Sequence, residues 1–199
     1  MKLFPKVYKE KVGMVPGELA HFGDKKVENV RLRTITYDKE VLTETTLSSI
    51  EEGYGIIDTK GVGWLNVDGL HDISIMEKIV AQFGIHPLVM EDIIHVHQRP
   101  KLEEFDDHLF IVVKMISFEK DTNSVISEQV SMILGKNHLI TFQERYGDVF
   151  ASVRERIRKS KGHVRNASAD YLAYSLIDAI IDNYYIVLEN VSEKIEELE

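Results

Sequence analysis

The 199-residue chain contains no cysteine. A disulfide scaffold and a thiolate metal site are therefore excluded, and nothing opposes a reducing compartment. No window reaches about 18 consecutive apolar residues, so no segment is expected to span a membrane. The start, Met1-Lys2-Leu3-Phe4-Pro5-Lys6, lacks the apolar stretch of a signal peptide. Basic residues are in deficit, with 24 Lys and Arg against 33 Asp and Glu and a formal net charge of -9. This argues against nucleic acid as a partner, because neutralising phosphates needs a basic footprint. It is compatible with attracting cations, and equally with solubility alone. There is no Gly-rich phosphate loop, no Gly-x-Ser-x-Gly and no His-Glu-x-x-His. With 44% hydrophobic residues, the chain can bury one sizeable core, and its composition predicts a soluble cytosolic polypeptide.

The first 25 residues carry Pro5, Gly13, Pro16, Gly17 and Gly23 and read as an irregular arm. Alternation over Val27 to Tyr37 predicts a strand. Asp38 to Glu52 is helical in composition, in two short pieces. The run 61–67, Gly-Val-Gly-Trp-Leu-Asn-Val, predicts a buried strand. Asp72 opens a helix with Met76, Ile79, Val80 and Phe83 on one face, and Gly84 terminates it. Pro87 suits the first turn of the next helix, and Pro100 ends that region. Strands are expected over Leu102 to Phe105 and His108 to Phe118, then a turn over Asp121 to Ser124. A hairpin follows, Val125 to Leu134 with His138 to Gln143. Asp148 to Ser160 predicts an amphipathic helix, and Ser168 can cap the helix that runs to the last residue.

That last helix carries a 3-4 repeat at Tyr174, Ile177, Ile181, Tyr184, Leu188, Val191, Ile195 and Leu198. Such spacing is the seam of a coiled coil. The alternative is a long helix lying on the domain's own sheet. No stop signal precedes Glu199, which predicts that the helix continues in a longer protein. The expected fold class is α/β, a mixed sheet between helices on both faces. The expected division is an α/β/α domain over residues 1–167, followed at 168–199 by the first part of a long coiled-coil-like helix.

Chemistry-bearing groups concentrate in residues 84–101, Gly-Ile-His-Pro-Leu-Val-Met-Glu-Asp-Ile-Ile-His-Val-His-Gln-Arg-Pro-Lys. Glu91 and Asp92 are helix neighbours and project roughly 100° apart, so they face two sites or two partners rather than chelating one ion. Mg²⁺ takes hard oxygen ligands, keeps most of its water and needs only one or two carboxylates. The pair suits such an ion, or a solvated helix end favoured by the macrodipole. His95 and His97, with Glu91 one turn before His95, offer a transition-metal alternative that lacks a third ligand at a telling distance. A metal-dependent hydrolase with Glu91, Asp92 and His95 around one ion is one alternative function. A pure assembly module with no metal is another. Asp178 and Asp182 stand one turn apart, each without a cation at i+4. The basic run Arg154, Arg156, Arg158, Lys159, Lys161 and Arg165 lacks interleaved stacking aromatics and reads as a solvated face.

The stretch 84–92 with His97-Gln98-Arg99-Pro100-Lys101 resembles the core motif of CorA-type magnesium and cobalt transporters. Further blocks recur in that family's order: Trp64 to Val67 before it, then Phe110 to Met115, Ser127 to Ser131, Phe142 to Glu144 with Gly147 to Phe150, Val153 to Arg158, and Ala169 to Leu172 with Tyr174 to Asp178. The resemblance implies the N-terminal cytosolic domain of a homopentameric Mg²⁺ channel of the cell membrane, not an enzyme. It implies Mg²⁺, with Co²⁺ as a surrogate, bound between neighbouring subunits and holding the pore closed. Carried over by position, the metal ligands are Glu91, Asp92 and Asp178, with Met14 near the second ion. The membrane helices and the Gly-Met-Asn pore loop of that family are absent from these residues. The membrane would therefore be reached through a missing C-terminal part.

Overall fold

The computed structural model describes residues 13, 15, 17–21, 25–119 and 124–196. Most of the predicted N-terminal arm, and Asp121 to Asn123 of the predicted turn, lie outside them. Seven strands form one sheet: β1 Arg31–Tyr37, β2 Leu42–Leu47, β3 Val62–Asp68, β4 Lys101–Glu104, β5 Leu109–Glu119, β6 Ser124–Leu134 and β7 His138–Gln143. The described residues also form four α-helices: α1 Ile73–Phe83, α2 Pro87–Ile94, α3 Ala151–Arg158 and α4 Ala169–Glu196. The sheet runs β2-β1-β3-β7-β6-β5-β4. Among the described residues, only β3 and β7 pair in parallel; the other neighbours are antiparallel. The mixed sheet follows from this. Hairpins need antiparallel pairs, whereas the step from β3 to β7 is a long crossover that carries α1, α2 and three strands.

Alternation along the strands sorts the core into two layers. Leu65, Phe110, Ile133 and Ile140 face α1 and α2, where Met76, Ile79, Met90 and Ile93 meet them. Their neighbours Trp64, Ile111, Met132 and Leu139 face α3 and α4, against Val153, Ile157, Leu172, Leu176 and Ile180. A period of two turns successive side chains to opposite faces, so one apolar run supplies both layers. This is the αβα sandwich expected from the sequence.

The predicted helix over Asp38 to Glu52 is corrected. Residues 42–47 form the edge strand β2, paired with β1 from Leu32↔Leu47 to Tyr37↔Leu42. Thr43, Thr45 and Thr46 are β-branched and suit a strand. Asp38 shapes the turn before it, its carboxylate accepting from the amides of Glu40 at 2.8 Å and Val41 at 2.7 Å. What helix there is follows β2, as a 3-10 segment over Ile50–Ile57. The α1 terminator is as expected. Gly84 adopts φ 64 in the left-handed region, where a Cβ would be strained.

Helix α4 has two apolar faces. Leu172, Ala173, Leu176, Ala179, Ile180 and Val187 are buried on the sheet. Tyr174, Ile181, Leu188 and Ile195 of the 3-4 repeat are exposed, between 47% and 63%; Leu198 lies outside the described residues. Beyond Val112, β5 has no strand on the β4 side among the described residues. There α4 supplies donors instead: the Asn183 amide to the Ile116 carbonyl and the Tyr184 hydroxyl to the Lys114 carbonyl. At the α4 start, the Ser168 hydroxyl donates to Asp170, whose carboxylate accepts the Tyr171 amide at 2.8 Å.

Beside the end of β3, a charged network is buried. Arg154 donates twice to Asp148, both at 2.6 Å, and to Asn66 at 3.0 Å. Asn66 passes to Asp68, which also accepts from Arg31. Arg154 was expected on a solvated face, yet it stacks over the Trp64 ring at 4.8 Å and is 7% exposed. Its planar fork lets it sit there with its donors satisfied.

Candidate functional site

Helix α2 is short, and its start is built by the residues that precede it. The His86 ring accepts from the Leu88 amide at 3.2 Å, and Pro87 fills the first position, where a missing N–H costs nothing. Val89, Met90, Ile93 and Ile94 are buried against the sheet. Because these positions take the inner face, Glu91 and Asp92 fall at its margin, half-buried.

The two acids have separate partners. Glu91 accepts from the Gly17 amide at 3.0 Å, and its other oxygen stands 3.7 Å from the His95 ring nitrogen one turn on. Asp92 accepts from the Gln98 side chain at 2.9 Å and from the Lys101 ammonium at 2.6 Å. Lys101 also reaches Glu103 at 2.9 Å. Burial works to lower the Lys101 ammonium, but the Asp92 and Glu103 carboxylates outweigh it and hold it above its ordinary value. Gln129 ties this corner to the sheet. It donates to the Asp92 carbonyl at 3.1 Å and to Ser131, and accepts from the Gln98 amide at 3.0 Å.

Asp178 lies elsewhere. It sits on α4, half-buried, while α2 packs on the opposite layer of the sheet. Asp182 is exposed, and Met14 lies outside the described residues. Nor do Glu91, Asp92 and His95 gather around one point: Glu91 turns to His95, and Asp92 turns to Gln98 and Lys101. Among the described residues, no group of three His, Asp or Glu side chains could hold a metal ion. The three-ligand hydrolase arrangement is therefore not formed. The physical reason is the angular separation of neighbouring positions on a helix.

Sequence reasoning named the acids but not their partners. Lys101, Gln98 and Gln129 all fall within the motif blocks, yet nothing in their spacing says that they close on Asp92. Gln129 comes from a strand 37 residues away.

The CorA-like Mg2+ transporter family model matches residues 59–199. The chain belongs to this family. The cobalt/magnesium transport protein CorA of Thermotoga maritima is 43% identical over 189 residues, which is 95% of this chain and 54% of that protein. The chain thus spans about half the length of that CorA relative. Among solved structures, the soluble domain of CorA from Methanocaldococcus jannaschii aligns with a TM-score of 0.60 at 19% identity, over 84% of this chain and 62% of that one. The cytoplasmic domain of ZntB from Vibrio parahaemolyticus aligns at 0.63 and 12% identity, over 86% and 66%. At these identities the two structures speak for the fold, and both share the CorA-type sandwich. No helix among the described residues is long and apolar enough to cross a membrane.

Proposed function

We propose that this chain is the cytosolic divalent-cation-sensing domain of a CorA-type Mg²⁺ transport channel. In this reading Mg²⁺, for which Co²⁺ can substitute, sits between neighbouring subunits of a homopentamer and stabilises the closed pore. The rest of the longer protein carries the membrane part. Family membership supports the transport setting. The observation that carries the interface reading is the distribution of the acids over the sandwich. Glu91 and Asp92 belong to one layer and Asp178 to the other, so one chain does not close them around an ion; in this reading the neighbouring chain completes the set.

The chemistry fits a hard, hydrated ion. Asp92 offers a part-exposed carboxylate, 31% open at the side chain. Mg²⁺ needs only one or two such groups and keeps several waters. Asp92 is already neutralised by Lys101, so an arriving ion competes with an ammonium. That competition weakens the site, as a sensor of cellular Mg²⁺ requires: a dissociation constant on the order of millimolar corresponds to roughly 4 kcal/mol. Without the ion, acids of adjacent subunits repel and the interfaces loosen. With it they are bridged, and the closed ring is favoured by the ion's differential affinity for that state. Met14 completes the second ion's surroundings in this reading.

The test is calorimetric titration of Mg²⁺ and Co²⁺ into the chain and into a Glu91→Ala/Asp92→Ala variant, with sedimentation in parallel. Cation binding should be lost in the variant, and wild-type association should strengthen with the ion. Unchanged binding in the variant would refute the site. Association indifferent to cations would favour a pure assembly module.

A further inference from the structure

Among the described residues, a recess that no α2 residue lines is rich in cations. A cleft of about 490 Å³ opens between the β1–β2 turn, the approach to β3, the β6–β7 turn and the segment leading into α4. Lys39, Lys60, Lys136 and Arg165 line it. The single acid among the described lining residues is Asp38; its Oδ1 accepts the Val41 and Glu40 amides, and these bonds, with the nearby Arg165 and Lys60 charges, hold it below its ordinary value. Among the described residues, none of the three lysines stands in an ion pair with a carboxylate. The recess therefore holds an excess of positive charge on a chain whose formal net charge is -9.

Two further observations point to a missing acceptor. Tyr37 lines the cleft and is 3% exposed, and its buried hydroxyl has no hydrogen-bond partner. Burial pushes that phenol well above its ordinary value, so it remains an O–H donor. Arg165 donates through Nε to the Asp38 carbonyl at 2.8 Å, while its buried Nη2 has no partner. Buried donors without acceptors are uncommon in folded proteins. Finally, Ala169 lines the same cleft as the first residue of the 28-residue α4. The first turn of that helix already carries the Asp170 carboxylate, which offsets the positive end of its dipole. Both of these unpartnered groups, the Tyr37 hydroxyl and the Arg165 Nη2, can donate a hydrogen bond.

We propose that this cleft is a binding site for a phosphate-bearing small anion, a diphosphate or larger. Lys39, Lys60, Lys136 and Arg165 would supply the counter-charge, and the Tyr37 hydroxyl a neutral donor. The spread of four cations around the recess calls for more oxygens than one monovalent anion carries. The volume falls within the usual range of small-molecule sites, about 300–1,000 Å³. Among the described residues, no exposed aromatic ring lines the cleft to stack a base, so the phosphate chain itself is what is recognised. Inorganic pyrophosphate and the phosphates of a nucleotide share that chemistry. This assignment does not depend on where Mg²⁺ binds.

The experiment is calorimetric titration of the chain with inorganic pyrophosphate and, separately, with ATP, at fixed ionic strength in chloride and without divalent cations. Lys60 and Lys136 are exposed, so Lys60→Gln/Lys136→Gln is expected to leave the fold and melting temperature unchanged. It should weaken binding by about tenfold or more. A matched control, Lys159→Gln/Lys161→Gln, removes the same charge outside the cleft and should leave the affinity as it was. ATP tighter than pyrophosphate would identify a nucleotide as the source, and equal affinities would identify the phosphate chain alone. No saturable binding of either anion would overturn the proposal, as would equal weakening in the two double variants.

Discussion

Replacing Glu128 by glutamine removes a charge from a place where the fold holds it at a cost. Glu128 lies on β6 and is 7% exposed. One of its oxygens accepts the Arg145 amide at 2.8 Å. Burial pushes its carboxyl from 4.5 up to about 7; the Glu144 charge adds to this, and the Arg145 amide works against it. The native chain therefore binds a proton that the unfolded chain has released over that interval. For a raised carboxyl, the stabilising contribution is complete below 4.5 and is lost as pH rises through about 7. At about 1.4 kcal/mol per pH unit, the loss is at most roughly 3 kcal/mol. Glutamine keeps an oxygen for Arg145 and has no proton to lose. Glu128→Gln should therefore match the wild type near pH 4 and exceed it by up to about 3 kcal/mol near pH 8. Urea unfolding followed by circular dichroism measures this directly, provided the slope is unchanged between variants. An equal difference at both pH values would refute the reasoning, because a packing effect does not titrate.

Three other outcomes follow from particular contacts. Arg154→Met leaves the Asp148 carboxylate, 3% exposed at its side chain, without its bidentate partner; about 3–5 kcal/mol should be lost in urea unfolding, and adding Asp148→Asn should return part of it. Gly63→Ala places a Cβ 2.5 Å from the Ile56 carbonyl oxygen; because backbone must move, about 1–3 kcal/mol should be lost, seen as a lowered melting temperature. Lys101→Met frees Asp92 from an ammonium at 2.6 Å while costing at most about 1 kcal/mol of stability, since the pair is partly exposed. Under the proposed function, calorimetry should show Mg²⁺ binding several-fold more tightly to this variant, and weaker binding would count against Asp92 as a ligand.

Most elements were legible because their signals are local. The pattern before Gly84, the turn between β6 and β7, and the unbroken last helix each act over a few residues. The stretch over Asp38 to Glu52 misled because its Lys and Glu content suits a helix, while its outcome depends on a neighbour. Thr43, Thr45 and Thr46 became a strand by pairing with β1 across a turn that Asp38 organises. The last helix was read two ways, as a seam and as a helix on the sheet. Both apolar faces exist, with Leu172, Leu176 and Ile180 inward and Ile181 and Leu188 outward. At the candidate site, spacing correctly implied that Glu91 and Asp92 diverge. It carried no trace of Lys101 closing on Asp92.

By itself, the sequence determined the two-layer core, the capped α2 with its divergent acids, and membership in the CorA family. Period-two alternation, cap residues and ordered motif blocks are properties of neighbours along the chain. Only the tertiary structure decided that Arg154 is buried, that Gln129 braces α2, that Asp178 lies on the opposite layer from Glu91, and that four cations and Tyr37 line one cleft. Those facts join residues many positions apart, for example Arg154 and Asn66, separated by 88. Only closure of the sheet brings them within reach, and their charges then matter because the interior they share has a low dielectric.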